Sequence, residues 1–217
     1  MGLNLYALRR RELVEQLHRL GIKDKNVLKA LNTVKRELFV GEEFKRFAYD
    51  NNALPISSNQ TISQPYTIAF MSELLELKKG DRILEIGTGS GYQAAILCEM
   101  GAEVYSVERL EELSIQAKEL LDKLNYKIKI KCDDGSMGWK EYSPFDGIIV
   151  TAGSPKVPKS LIDQLNINGR LVIPVGDRLS QKLVYVKKIK TKDNKIKLLK
   201  DRFKDFRFVP LLGEEGW

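Results

Sequence analysis

The segment Glu85-Ile86-Gly87-Thr88-Gly89-Ser90-Gly91 places an acid at the head of glycines spaced two apart. Glycine has no side chain to obstruct a ligand and tolerates positive φ, so such a turn lets backbone lie directly against a bound molecule. The spacing restricts which molecule. A dinucleotide fingerprint needs G-x-G-x-x-G, and its third glycine would fall at Tyr92, which disfavours NAD. A phosphate-binding loop needs Lys and Ser or Thr directly after the glycines, and Gly91-Tyr92-Gln93 supplies neither, so nucleoside triphosphates are disfavoured too. Further acids follow at Glu108 and in Asp133-Asp134-Gly135. A carboxylate ending a strand can accept hydrogen bonds from both hydroxyls of a ribose. The sole histidine, His18, is far in sequence from these groups and reads as a surface or packing residue rather than a base.

These residues need a frame. Leu13, Leu17 and Leu20 recur at helical spacing with Gly21 closing the run, and Asp24 can cap a second helix whose inner face is Val27, Leu31 and Val34. From Tyr49 to Pro65 periodicity gives way to turn-forming and small polar residues, predicting a long loop of the kind that usually has a function. Thr67 to Leu77 resumes a helix, with Ile68, Met71 and Leu75 on one side. After Gly80-Asp81, short apolar strands alternate with helices, the signature of a parallel sheet covered on both faces. The strands are read at Ile83–Ile86, Val104–Val107, Ile128–Ile130, Ile148–Val150 and Leu171–Pro174, with helices over 92–100 and 110–124. A further helix carrying Leu161, Ile162 and Leu165 is expected to end at Asn168-Gly169. Leu183–Ile189 and Ile196–Leu199 flank a polar tip at 191–195 and suggest an antiparallel hairpin. The glycine loop therefore follows the first parallel strand, Glu108 ends the second, and Asp134-Gly135 follows the third.

An acid followed by G-x-G-x-G resembles the first motif of Rossmann-like methyltransferases. Their donor, S-adenosylmethionine, carries a sulfonium and an ammonium rather than a pyrophosphate, so carboxylates near the loop suit it. The chain further resembles the protein-L-isoaspartate O-methyltransferase family. That likeness runs from Leu54-Pro55-Ile56 and Gln60-Thr61-Ile62-Ser63-Gln64-Pro65 through the block 84–95, which contains the glycine loop, to Pro144-Phe145-Asp146-Gly147-Ile148-Ile149-Val150-Thr151-Ala152. It continues through Gly169-Arg170-Leu171-Val172-Ile173-Pro174-Val175-Gly176 and Arg207-Phe208-Val209-Pro210-Leu211. The glycine loop is common to many methyltransferases, whereas Gln-Thr-Ile-Ser-Gln-Pro ahead of it is far more specific.

The resemblance implies an α/β, Rossmann-like S-adenosylmethionine-dependent methyltransferase fold: a mostly parallel central sheet with a C-terminal antiparallel hairpin, plus N-terminal helices. It implies methyl transfer to the free carboxylate of L-isoaspartyl residues in damaged proteins and peptides, leaving S-adenosyl-L-homocysteine. The ester then closes to a succinimide, whose hydrolysis returns some normal aspartate. It places Ser63 at the reacting centre, with Gln60, Thr61, Ile62, Val209, Pro210 and Leu211 around the acceptor. Donor binding is implied for Glu85, Gly87, Thr88, Gly89 and Gly91 in the loop, and for Glu108, Asp134, Gly135 and Thr151. A carboxylate has an ordinary pKa of about 4 and is already a nucleophile at neutral pH, so no base is required. Alignment of the reacting atoms can contribute roughly 7–11 kcal/mol, and hydroxyls at Thr61 and Ser63 suit that orienting role. The chain departs from the family pattern at Ser57-Ser58-Asn59, where glycines are common, at Asp133, and at Tyr66, where some relatives have histidine.

The chain has 217 residues, 43% of them apolar, enough for one substantial core, so a single domain over 1–217 is expected. Within it, 1–80 would carry the N-terminal helices and substrate loop, 81–180 the donor-binding core, and 181–217 the hairpin and a tail beside the peptide groove. Cys98 and Cys132 have neither CxxC spacing nor a nearby histidine, which argues against a disulfide framework or a metal site. Arg9-Arg10-Arg11 is not followed by the apolar run of a signal peptide, and no stretch approaches the ~20 residues of a membrane span, so a cytoplasmic protein is expected. The net charge of +7 is read as solubility, with neither nucleic acid nor membrane as a partner and a monomer by default. A nucleic-acid methyltransferase would need an Asp/Asn-Pro-Pro-Tyr/Phe segment where Val150-Thr151-Ala152-Gly153 stands. A binding module that had lost catalysis would have no need of the intact donor loop and Thr61–Ser63 block.

Overall fold

The structure is a computed structural model that describes residues 2–217, with side-chain environments from Leu5 onward. Helix α1 (Gly2–Arg19) buries Leu13 and Leu17, and α2 (Lys25–Thr33) buries Val27, Ala30 and Leu31. Asp24 caps α2 as expected, its Oδ1 accepting from the amides of Asn26 (2.7 Å) and Val27 (3.3 Å). Leu20 does not share the inner face of α1. It lies past the end of that helix and is exposed, because Gly21 at φ +106° turns the chain and Ile22 enters the core in its place.

The expected long loop contains structure. Strands β1 (Leu54–Pro55) and β2 (Thr61–Ile62) pair antiparallel, Leu54 opposite Ile62, around a turn in which Ser58 and Asn59 both have positive φ. Two consecutive residues of positive φ match the twist of a tight hairpin. Strands this short show no alternation, so sequence periodicity could not reveal them. Helix α3 (Pro65–Leu74) starts earlier than the apolar pattern suggested, with Pro65 at its first turn, where a missing N–H costs nothing. Its inner face holds Ile68 and Met71, and Leu75 is buried just beyond its end.

The main sheet contains β3 (Arg82–Ile86), β4 (Glu103–Glu108), β5 (Lys129–Cys132), β6 (Phe145–Val150), β7 (Leu165–Gly176), β8 (Gln181–Lys190) and β9 (Ile196–Phe206) in the order β5-β4-β3-β6-β7-β8-β9. Pairing is parallel from β5 to β7 and antiparallel for β7–β8 and β8–β9, so β5 and β9 are the edges. Helices α4 (Tyr92–Glu99), α5 (Glu111–Lys123) and α6 (Lys159–Asp163) connect the parallel strands. Along β3, Ile83 packs towards α3 and α4, while Leu84 and Ile86 face Tyr105, Phe145 and Leu161 on the other side. Burial on both faces is why the central strands read as continuous apolar runs.

Two expectations at the C-terminal side are corrected. The helix carrying Leu161 stops at Asp163, and Leu165 already belongs to β7. Asn168, at φ +65°, is not a helix end but an irregularity inside β7, where the register against β6 passes from Phe145–Leu165 to Gly147–Arg170. Strand β9 also runs well past Leu199, its charged residues having hidden the continuation.

Candidate active site

Strand order reverses between β3 and β6, and in open parallel sheets a ligand crevice lies beyond the strand ends at such a point. The glycine loop leaves β3 there, beside the segment leaving β6. Gly87, Gly89 and Gly91 have φ of +92°, +53° and +83°. A Cβ at Gly87 would collide with the Thr151 hydroxyl, which sits between the carbonyls of Ile86 (2.9 Å) and Gly87 (2.8 Å) and donates to them. At Gly91 a Cβ would lie 2.9 Å from Leu121 Cδ1, so that glycine serves the packing of α4 against α5.

Glu108, at the end of β4, is 6% exposed. Its Oε2 accepts from the Gly89 amide (2.9 Å) and its Oε1 from the Leu110 amide (3.0 Å), fixing the carboxylate in plane against the glycine turn. Each oxygen keeps a lone pair for a further donor. Glu85 differs in what it faces. It is fully buried behind the loop, with Oε2 accepting from Ser106 Oγ (2.5 Å), which in turn contacts Thr88 Oγ1 (2.6 Å). Its Oε1 has no partner among the described residues. Burial pushes its pKa up to about 8, against the lowering effect of the Ser106 hydrogen bond and with a small further rise from the charge of Glu108, so the group is mainly protonated at neutral pH.

Asp134 also faces away from the crevice. Its Oδ1 accepts from the amide (2.8 Å) and hydroxyl (2.7 Å) of Ser136, and its Oδ2 from the Glu214 amide (2.7 Å). The acid thus ties down the chain's last segment. Gly153 completes the attachment: its N–H donates to the Val209 carbonyl (2.7 Å), and its carbonyl accepts from the Leu211 amide (2.7 Å) and Trp217 Nε1 (3.1 Å). These bonds bring Val209, Pro210 and Leu211 from the far end of the chain to the crevice.

The crevice is lined by Gly87, Thr88 and Gly89 of the loop and by Glu108, Gly135 and Thr151. Gln60, Thr61, Ile62 and Ser63 form a second wall, and Val209, Pro210 and Leu211 a third. Glu85, Gly91 and Asp134 are not on its surface but lie behind the loop and beside the tail. Sequence reasoning did not single out the apolar bed of Ile86, Val107, Leu110 and Leu113, whose periodicity is indistinguishable from that of core residues. A neighbouring groove, flanked by Asn51, Tyr66, Lys204 and Phe206, meets the crevice at Thr61, Ser63, Thr151 and Val209, which line both. His18 lines neither and contacts the Ile22 carbonyl through Nδ1 (3.0 Å). Among the described residues there is no cluster of His, Cys, Asp or Glu able to hold a metal, and no helix long and apolar enough to cross a membrane.

A family model described as protein-L-isoaspartate(D-aspartate) O-methyltransferase matches residues 8–216. A protein-L-isoaspartate O-methyltransferase of Christiangramia forsetii is 48% identical over 209 residues, covering 96% of either chain. One of Flavobacterium psychrophilum is 50% identical over 208 residues, covering 95% of each. Among solved structures, a protein-L-isoaspartate O-methyltransferase superposes with a TM-score of 0.85 at 30% identity, over 95% of this chain and 67% of that one. A Plasmodium falciparum protein-L-isoaspartate O-methyltransferase, crystallised with S-adenosyl-L-homocysteine, superposes with a TM-score of 0.79 at 28% identity, over 94% and 98% of the two chains.

Proposed function

The chain belongs to the protein-L-isoaspartate(D-aspartate) O-methyltransferase family, and from that premise we infer how its crevice and groove divide the work. The activity is transfer of a methyl group from S-adenosylmethionine to L-isoaspartyl residues, the step that starts their repair. The donor supplies an electrophilic methyl carbon on a sulfonium, which a carboxylate accepts without first losing a proton. The residues present fit that donor. Gly87 and Gly89 form a cradle without side chains, Glu108 presents a fixed carboxylate to a ribose, and Ile86, Val107, Leu110 and Leu113 give a flat apolar bed beside it. Gly135 extends the bed, since a Cβ there would lie 2.5 Å from Ile86 Cγ2.

The acceptor enters through the groove. The observation that carries this reading is that Thr61, Ser63, Thr151 and Val209 line both spaces, so a carboxylate held at Ser63 meets the donor end of the crevice. Ser63 is the catalytic residue in this reading, orienting the carboxylate by hydrogen bonding and removing no proton. Thr61, with Gln60 and Ile62, holds the acceptor backbone, and Val209, Pro210 and Leu211 close the opposite side and exclude water. Thr88, Gly91, Thr151, Glu85 and Asp134 keep the donor-side surfaces in shape. The protein acts as one cytoplasmic domain on damaged polypeptides rather than on nucleic acid or membranes.

The test is transfer of labelled methyl from S-adenosylmethionine to two peptides that differ only in having isoaspartate or normal aspartate. Label in the isoaspartyl peptide alone is the expected result. Equal labelling, or none, would refute the assignment.

A further inference from the structure

Arg36 lies in the short 3₁₀ turn Arg36–Leu38 after α2 and is fully buried, yet no carboxylate among the described residues pairs with it. The adjacent acid, Glu37, is occupied by the Tyr49 hydroxyl, which also accepts from Arg10 Nη1. The guanidinium lies 4.9 Å from the centroid of the Tyr92 ring, and its Nη2 donates to the carbonyls of Ser63 (2.9 Å) and Asn52 (3.4 Å). Its Nε and Nη1 have no hydrogen-bond acceptor within bonding geometry among the described residues, the Tyr92 side chain being the neutral group nearest in effect. Burial pulls its pKa down to about 10, which still leaves a full positive charge at neutral pH. A buried, unpaired cation is costly, and fold stability alone gives no reason to keep it.

Its contacts are grouped. Ser63 lines both the crevice and the groove, Tyr92 lines the crevice, and Asn52 lines the groove. The same arms are joined alongside by Gln64 Nε2 donating to the Asn51 carbonyl (2.7 Å) and the Tyr66 amide donating to Asn51 Oδ1 (3.0 Å). Arg36 therefore holds the acceptor wall from behind, and the anion that its charge lacks is not supplied by the protein.

We propose that Arg36 is a positioning residue that fixes the Ser63 segment and, through its uncompensated charge behind that wall, makes the site select an anionic acceptor over a neutral one. The proposal rests on the reading of Ser63 as the acceptor side. Methyl transfer converts the acceptor from a carboxylate to an uncharged ester as the donor loses its own positive charge. A fixed cation near the acceptor favours the reactant over the product, so it tightens substrate binding and lets the ester leave.

The experiment uses the whole protein and three peptides of one sequence, bearing isoaspartate, its α-amide or its α-methyl ester. In the unmodified enzyme, the KM of the acid should be about tenfold or more below the inhibition constants of the amide and ester, the size expected for a unit charge acting through partly screened protein. Equal values would overturn the proposal without any variant. In Arg36→Met, KM for the acid should rise about tenfold while inhibition by the amide changes little, so the preference for the anion collapses; Arg36→Lys, which keeps the charge, should restore most of it. If Arg36→Met does not fold, Arg36→Gln, which keeps a donor to the Ser63 carbonyl and removes the charge, takes its place with the same expected collapse and the same refuting result. A preference unaltered in Arg36→Met, or a parallel loss of acid, amide and S-adenosyl-L-homocysteine binding, would refute it. Failure to methylate the isoaspartyl peptide at all would instead refute the functional reading, so the two failures are distinguishable.

Discussion

Glu85→Gln tests the electrostatics beneath the glycine loop, because it removes an ionisation and keeps the shape of the side chain. In the unfolded chain this carboxyl titrates near 4.5, whereas in the fold it titrates near 8, chiefly because burial disfavours its charge. Between those values the folded state holds the proton that the unfolded state has released, so stability must fall as pH rises through that window and level off above about 8. At about 1.36 kcal/mol per pH unit of displacement, the loss is on the order of 5 kcal/mol, a substantial share of a typical domain's stability. Urea unfolding of the wild type and Glu85→Gln, followed by circular dichroism at closely spaced pH values from 4.5 to 9, isolates the effect because all other titrating groups are common to both chains. The variant should gain several kcal/mol on the wild type across that range, with most of the change between pH 5 and 8. A difference that stays constant with pH would show that Glu85 is ionised in the fold and would remove the account of a protonated acid behind the loop.

Gly87→Ala should cost at least about 2 kcal/mol, combining the left-handed backbone penalty with the collision at Thr151, and lower Tm by roughly 4–8 °C. Adding Thr151→Ala should return the steric part only, as scanning calorimetry can show. Glu108→Ala should weaken donor binding by about tenfold or more through loss of charged hydrogen bonds and of the support at Gly89, while changing the KM for an isoaspartyl peptide much less; calorimetric titration with S-adenosyl-L-homocysteine checks the first half. Ser63→Ala should show the opposite split, lowering kcat about tenfold through loss of an orienting hydrogen bond to a charged group, with donor affinity within a factor of about three. If the two variants exchanged these patterns, the assignments of donor and acceptor sides would be wrong.

The parts of this structure legible in the sequence are those set by local periodicity and by glycine. The parallel strands, the Asp24 cap, the loop after β3 and the carboxylate ending β4 all leave marks within a few residues of themselves. What escaped depends on contacts distant in sequence. Arg36 reads as one more basic residue in a lysine- and arginine-rich chain, and only its burial against Ser63 and Tyr92 distinguishes it. Asp134 matches a donor-side position by pattern, but its hydrogen bonds to Ser136 and to an amide 80 residues further along, which tie down the chain's last segment, leave no local mark in the sequence. Glu85, which the pattern alone would set beside a cationic ligand, is fully buried behind the loop, where burial raises its pKa. The ribbon of β1 and β2 and the irregularity at Asn168 escaped because a pair of left-handed residues and a register shift have no apolar signature.

The two sheet edges carry a consequence for an enzyme whose substrates include damaged chains. An open edge presents unpaired amides and carbonyls and is a template on which an extended segment can add as a further strand. Here β5 is only four residues long and contains Lys129 and Lys131, while β9 places Lys197, Lys200, Arg202 and Lys204 along its length. Adding a strand there would require desolvating successive ammonium and guanidinium groups. The two flanks are thus guarded against pairing with an exposed strand of another chain, so that contact with a damaged polypeptide does not seed a deposit along the sheet.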